Sequence, residues 1–472
     1  MRTVKKHIAG LMALVLLSVL VGPPAARGIT IKEEEALARE FLKYIALQFE
    51  IIDDPIIVGY VNSVGRRILT KLPPQPFPYH FHVVDQEVYN AFATPAGHVF
   101  IYSGLMAAMD TEDELAGILA HEISHVTCRH ISQKIERSKL VNIATLAGVA
   151  AGMLLGAAGG GQAAAALTMG SMAAGQSASL AFSRENEIQA DQVGIAYLTE
   201  AGYTGEGLLS VLNKIRAKQW YGSEQVPTYL MTHPAVEDRL AYLDTYLASR
   251  QKDTAITRPV NTEAFRLVHA RLLALYGDVK LALNKFETAL KSDTADAVTY
   301  YGYGLALARL GKRKEAVAAL KKALETEAFN PTMLAALGRV YFLDGQYKEA
   351  LNTLASALSL DPQEPEALFF LGRVRLELDQ PAEAQAAFES LQQQEFVAKL
   401  VYYFLGKAYG QQGKMAAAYM SLGRYYYLKN DFANARIQFT QALEKAQDPD
   451  QRREIEERLK EIKKILTASK EP

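Results

Sequence analysis

The 472-residue chain carries 51 Lys+Arg against 52 Asp+Glu, 9 His and a single Cys, with 49% hydrophobic and 22% charged residues. That composition supports packed cores in two or three domains and excludes a globally disordered chain. Balanced charge removes the electrostatic basis for nucleic-acid binding, and a lone Cys128 excludes a disulfide framework or a cysteine zinc finger, leaving His, Asp and Glu for any metal site.

Arg2, Lys5 and Lys6 precede an apolar stretch from Ile8 to Val21, closed by Gly22-Pro23-Pro24. Ala26 and Gly28 put small residues at the −3 and −1 positions of a cut after Gly28, so residues 1–28 are expected to be a cleaved signal peptide. The run is short of the roughly 20 residues of a membrane span. No Cys adjoins the cut, which excludes a lipoprotein, and the mature chain is expected to begin near Ile29, outside the cytoplasm.

From Ile29 to about Leu72 the pattern is helical, with Leu37, Phe41, Tyr44, Ile45 and Phe49 at three- and four-residue intervals, until Pro73-Pro74-Gln75-Pro76 ends it. Two strands are predicted next, Tyr79–Val84 and Gly97–Tyr102. Thr111, followed by Glu112, Asp113 and Glu114, signals the N-cap of a helix running to about Ile131. Residues 141–180 are dominated by Ala, Gly, Met and Leu and broken by Gly159-Gly160-Gly161. Each apolar piece is too short to span, so a mobile cover or a peripheral membrane contact is expected.

The second half repeats itself. Gly304, Gly338, Gly372 and Gly406 are 34 residues apart, and Ala282, Ala316, Ala350 and Ala384 keep the same interval. Gly277, Gly311 and Gly345 do too, skipping Asp379 and resuming at Gly413. Thirty-four is the tetratricopeptide period, each unit a helix, turn and helix. Small residues sit where paired helices cross, with Leu320, Leu354 and Phe388 in the seam. A unit carrying Gly423, Ala435, Phe439 and Ala442 arrives only 17 residues after Gly406, as helix sharing would produce. About five units over residues 262–447 predict an α-solenoid whose concave face suits an extended peptide or another protein. Residues 448–472, rich in Glu, Lys and Arg, are expected to be a solvated helix with a frayed tail.

The chemistry centres on His121-Glu122-Ile123-Ser124-His125, an H-E-x-x-H motif. Four residues along a helix bring two imidazoles onto one face, close enough to grip one ion, and the adjacent Glu122 aims its carboxylate at the open side, where it can take a proton from water. A third ligand is required. The metzincin spacing fails, because Cys128 and Ile131 stand where that class has Gly and His. His130 is out of phase with the His121–His125 face and is expected to be a hydrogen-bonded structural residue. Downstream, Glu187 and Asp191 are four apart, so Glu187 suits metal binding while Asp191 accepts the free N–H of a ligating imidazole. Glu185 competes but has no acid four residues on, and a solvated acidic helix face fits the same spacing.

H-E-I-S-H-V-T-C-R-H at 121–130, then S-R-E-N-E-I-Q-A-D at 183–191 with its E-x-x-A-D core, resembles the metallopeptidase family of the CAAX prenyl endopeptidases and HtpX-like proteases. Within it the chain resembles the periplasmic β-barrel assembly-enhancing proteases, which join a signal peptide, a catalytic domain and tetratricopeptide repeats in that order. The resemblance implies a mainly α fold: a gluzincin-type domain over residues 29–255 with a small sheet, then the solenoid. It implies one zinc ion per chain, held by His121, His125 and Glu187, with Glu122 as general base and Asp191 in support. It implies periplasmic quality control of unfolded or misassembled outer-membrane proteins, with the solenoid engaging substrate or the barrel assembly machinery; residues 141–180 keep the expectation of a cover or a peripheral membrane contact. Asn90-Ala91-Phe92-Ala93-Thr94-Pro95-Ala96-Gly97-His98-Val99 resembles the family's segment before a substrate-holding edge strand, which places Asn90, Gly97, His98 and Val99 beside an extended peptide. Thr232-His233-Pro234 with Arg239 matches the family's H-P-x-x-x-x-R element; His233 is expected near the metal, either steadying the oxyanion or filling the fourth position of a latent site. A rival reading is a periplasmic chaperone or scaffold whose repeats do the main work.

Overall fold

A computed structural model describes residues 29–137, 182–221, 228–250, 262–292 and 296–468. The expected signal peptide and residues 141–180 lie outside the described residues.

The helical run expected up to Leu72 is two helices. Helix α1 (Ile31–Gln48) starts at a capping box between Thr30 and Glu33. Helix α2 (Pro55–Leu69) is started by Asp54, whose side chain accepts from the Ile56 and Ile57 amides, with Pro55 in the first turn where its missing N–H has no partner to lose. Between them the chain is extended and Ile51 bridges to Val84, because Phe49 and Ile52 are needed in the core on either side of the sheet edge.

The sheet has strands β1 (His80–Val84), β2 (Ala91–Ala93) and β3 (His98–Tyr102) in the order β1-β3-β2. Strand β3 runs parallel to β1, His80 opposite His98, and antiparallel to β2, Phe92 opposite Phe100. Period-two alternation divides its faces. Val84, Phe92, Phe100 and Tyr102 pack on Phe41, Ile45 and Phe49, while Phe81, Val83, Val99 and Ile101 join the main core of the first half.

After the short α3 (Ser103–Ala107), that core is organised round α4 (Glu112–Thr127), capped by Thr111 and buried along nearly its whole length. Helix α4 stops short of the expected Ile131: Arg129 takes a left-handed φ of 56° and α5 (His130–Arg137) begins on a new axis. Helices α6 (Arg184–Ala201) and α7 (Glu206–Tyr221) flank α4 at glycine crossings. A Cβ on Gly207 would come within 2.1 Å of the Asp113 carbonyl oxygen, and one on Gly194 within 3.3 Å of the Ala120 backbone. The short α8 (Thr228–Thr232) and α9 (Val236–Arg250) close the domain.

The solenoid comprises α10 (Thr262–Tyr276), α11 (Val279–Leu290), α12 (Ala297–Arg309), α13 (Arg313–Thr326), α14 (Pro331–Leu343), α15 (Tyr347–Leu360), α16 (Pro365–Glu377), α17 (Pro381–Gln392), α18 (Lys399–Gln411), α19 (Met415–Leu428), α20 (Phe432–Lys445) and α21 (Pro449–Ala468). Helix α19 packs back on α18 through Gly406 and Leu422 and forward on α20 through Gly423 and Phe439, so one helix serves two units. Helix α21 is not merely solvated, since Ile455 and Ile462 are fully buried against Phe439 and Ala442. It closes the apolar end of the stack, as a terminal repeat must.

The two halves share packing. Phe265, Val268 and Leu272 of α10 lie in the core of the first half, while Ala270 and Ala274 of the same helix face the solenoid core. Arg271, also buried, gives Nε to Asp54 Oδ2 at 2.8 Å and Nη1 to Glu366 Oε2 at 2.9 Å. Arg339 reaches the other Glu366 oxygen at 3.1 Å, and the Lys399 amide donates to Asp53 at 3.0 Å. The start of α2 therefore docks on the first helices of several repeats.

Candidate metal centre

Helix α4 brings the Nε2 atoms of His121 and His125 to 3.0 Å from each other, one turn apart on one face. Helix α6, started by a capping box between Ser183 and Asn186, turns Glu187 and Asp191 toward them. Glu187 Oε2 lies 3.5 Å from His121 Nε2 and Oε1 lies 3.5 Å from His125 Nε2. The loop after α8 adds His233, whose Nδ1 is 3.3 Å from His121 Nε2 and 3.2 Å from Glu187 Oε1. The four donors lie within 4.8 Å of one another and every one of the four residues is buried. Four ligands around a tetrahedral zinc at about 2.0–2.1 Å stand roughly 3.3 Å apart, so this donor set fits such an ion in spacing and in chemistry.

A charged layer surrounds the cluster. Asp191 Oδ1 lies 2.9 Å from His121 Nδ1, which fixes the ring so that Nε2 faces the other donors. Arg239, fully buried on α9, donates to Asp191 through Nε at 2.8 Å and Nη2 at 2.7 Å, and to Glu187 through Nη1 at 2.7 Å. Against burial, which opposes ionisation, the His233 and Arg239 charges hold the Glu187 carboxyl well below its usual range. Asp191 is likewise lowered, against burial, by Arg239 and His121. Burial, then the neighbouring His121, pushes the His125 imidazole well down, which keeps it neutral and its lone pair available.

Glu122 differs from its neighbours. Both of its oxygens are buried without a hydrogen-bond partner among the described residues, with His233 Nε2 3.5 Å from Oε1. Burial raises its carboxyl above the usual range. A buried acceptor left open beside a donor cluster is positioned to exchange a proton with something bound there.

His130 is the hydrogen-bonded structural residue expected: its Nδ1 is 2.9 Å from His125 Nδ1 and its Nε2 is 2.9 Å from Gln189 Oε1, so it steadies a donor ring without joining the cluster. Two other neighbours escaped the sequence reading. Phe182 stacks on His125 with ring centres 3.9 Å apart, and its amide donates to the Thr232 carbonyl at 3.0 Å. Tyr229 stacks on His233 at 4.3 Å with a buried hydroxyl that has no partner among the described residues. Position i−4 from His233 on a short helix was the available signal for Tyr229; nothing local marks Phe182. Glu185 is exposed and stays out of the cluster.

The expected edge strand is displaced. Strand β3 pairs on both sides, so His98 and Val99 are central, and His98 Nδ1 meets His82 Nε2 at 3.2 Å instead of a substrate. Gly97 forms the preceding turn with Ala96, at φ 82° and 62°, where a Cβ on Gly97 would meet the Pro78 carbonyl at 2.6 Å. The outer strands are β1, bridged by Ile51 at Val84, and β2, entered from Asn90, whose carbonyl accepts from the Tyr102 amide at 3.0 Å. Hydrogen-bonding alternates along a strand, so Asn90, Phe92 and Thr94 face β3 and the Ala91 and Ala93 backbones face outward.

Residues 58–247 match the model of Peptidase family M48, and residues 267–332 and 341–402 match tetratricopeptide repeat models. Fold and site together define a metallopeptidase domain of family M48 followed by tetratricopeptide repeats, and that family implies a metal ion. The Beta-barrel assembly-enhancing protease of Escherichia coli strain K12 is 31% identical over 276 residues, 58% of this chain and 54% of that protein. That of Yersinia pestis is 31% identical over 257 residues, covering 54% and 52%. The mitochondrial metalloendopeptidase OMA1 of Schizosaccharomyces pombe is 26% identical over 192 residues, covering 41% and 53%. The chain spans about half the length of these curated relatives. Among the described residues no helix is long and apolar enough to cross a membrane.

Proposed function

We propose that the chain is a zinc-dependent endopeptidase of the periplasm that cleaves misfolded or stalled outer-membrane proteins, with the solenoid recruiting substrate or assembly machinery. One observation carries the catalytic part: three imidazoles and a carboxylate converge, buried, beside the unpartnered carboxylate of Glu122. The likeness to β-barrel assembly-enhancing proteases supports the substrate class and the compartment.

Zinc held by His121, His125 and Glu187 would supply Lewis-acid chemistry, polarising a carbonyl and acidifying water. An extended substrate pairs with the outward backbone of Ala91 and Ala93 on β2, which selects conformation rather than side chains. Glu122 takes a proton from water, the resulting hydroxide attacks the peptide carbonyl carbon, the C–N bond breaks, and Glu122 returns the proton to the departing amine. Asp191 and Arg239 act as positioning residues, holding His121 and Glu187 in place. His233 would supply the fourth donor to an ion held there, and substrate entry would then require it to leave.

Glu122→Gln keeps about one zinc per chain by elemental analysis and lowers hydrolysis of an unfolded model protein on the order of 10²–10⁴-fold; equal cleavage by variant and parent overturns the mechanism. His233→Ala retains zinc and digests the same substrate faster. Unchanged or slower digestion by a folded, zinc-loaded variant removes the resting role of His233.

A further inference from the structure

His233 meets the donor cluster with a particular edge. Its Nδ1 lies 3.3 Å from His121 Nε2 and 3.2 Å from Glu187 Oε1, whereas its Nε2 lies 3.5 Å from Glu122 Oε1. One imidazole thus stands against two metal donors through one ring nitrogen and against the carboxylate of Glu122 through the other. The main chain beside it is pinned. The His233 amide donates to the Tyr229 carbonyl at 2.8 Å, extending α8 by one residue, and the Phe182 amide donates to the Thr232 carbonyl at 3.0 Å. Departure of the ring then falls to rotation about its own side-chain bonds, and the surface it rests on decides how readily it turns.

That surface is Tyr229. Four residues apart on a helical turn, the two side chains lie one above the other, their ring planes 17° from parallel and their centres 4.3 Å apart. The other neighbouring rings are farther off and steeper. His121 and His125 lie at 5.2 Å with planes 65° and 61° away, and Phe182 lies at 5.3 Å and 40°. Tyr229 is itself anchored, since its amide donates at 3.1 Å to the carbonyl of Tyr89, just before the residue that leads into β2. Its side chain is fully buried, yet its hydroxyl has no hydrogen-bond partner among the described residues. A buried phenol without a partner costs free energy that a phenylalanine there would not, so the position uses the flat ring and not the hydroxyl.

We propose that Tyr229 is a positioning residue whose ring, stacked on His233, holds the imidazole in the orientation that presents Nδ1 to the metal donors and Nε2 to Glu122. The inference rests on the reading that His233 supplies a fourth donor, and it names the side chain that sets how readily that donor departs. Losing an aromatic stack of this kind shifts such an equilibrium about 2–10-fold toward departure.

Two measurements on the full chain test this. The visible absorption of the chain loaded with cobalt(II) reads the donor set, and kcat/KM on the unfolded model protein reads how open the site is. Tyr229→Leu is expected to move the cobalt spectrum toward that of His233→Ala and to raise kcat/KM about 2–10-fold, while Tyr229→Phe matches the parent in both. In the His233→Ala chain the leucine substitution adds nothing, because the ring it would release is already gone. Tyr229→Met, which fills the space without a ring, takes its place if the leucine variant does not fold. A leucine or methionine variant with the parent's spectrum overturns the assignment. So does a gain that persists in the His233→Ala chain, or a phenylalanine variant as fast as the leucine one. If His233→Ala leaves the cobalt spectrum of the parent unchanged, the fourth-donor reading fails and the inference with it. If His233→Ala changes the spectrum and the Tyr229 variants do not, the inference fails alone.

Discussion

Two fully buried arginines do similar jobs at opposite ends of the catalytic core. Arg239 bridges Glu187 and Asp191 beside the four-donor cluster; Arg271 bridges Asp54 and Glu366 where the solenoid docks. At the junction the matching is nearly complete, with Arg339 and the α2 amides taking the remaining carboxylate oxygens. At the cluster it is incomplete by design of the surroundings: Glu122 Oε1 and Oε2, His233 Nε2 and the Tyr229 hydroxyl have no hydrogen-bond partner among the described residues. A structural ionic network closes on itself, whereas a reactive one leaves acceptors open toward a shared space.

Arg239→Gln attacks the open network and should have the largest effect. Two buried carboxylates lose their cation, so zinc affinity falls about 10–100-fold and stability falls by about 3–5 kcal/mol. Chelator competition and urea titration read the two losses. Arg271→Gln attacks the closed one: a loss of about 3 kcal/mol on urea unfolding is expected, with zinc content still near one per chain. Zinc loss in that variant would break the contrast between the networks.

The smallest effect sharpens the boundary of the closed network. Glu364 sits two residues before Glu366, caps α16 through the Ala367 amide, and has one buried oxygen without a partner among the described residues. Burial, then the neighbouring Glu366 charge, raises it from 4.5 to about 8; the Ala367 amide and Arg271 oppose the shift, and Asp361 adds to it. The folded chain then holds a proton that the unfolded chain releases, so stability falls as pH rises between those values. The urea midpoint should decline over that window in the parent and flatten in Glu364→Gln. A slope unchanged by the substitution refutes the assignment.

The motif at His121–His125 was legible because helix geometry alone joins residues four apart, and the 34-residue register was legible because each helix crossing repeats the same small side chain. Glu187 and Asp191 were legible as a pair, but only folding chooses between a ligand pair and a solvated face. Strand order was not legible: β2 has only three residues and reads as part of a turn, so its neighbour β3 looked like the edge. The break after α4 was hidden because Arg129 adopts a conformation usually announced by glycine. In α21, abundant charge obscured Ile455 and Ile462, two turns apart on one buried stripe.

Helix α10 has a consequence for anyone dividing this chain. Its Phe265, Val268 and Leu272 are walls of the catalytic body, although every sequence criterion assigns the helix to the repeats. A fragment cut between α9 and α10 would lack those walls and present apolar surface to its neighbours. The packed unit is thus larger than residues 58–247, and grafting a different repeat array onto it must preserve that first helix.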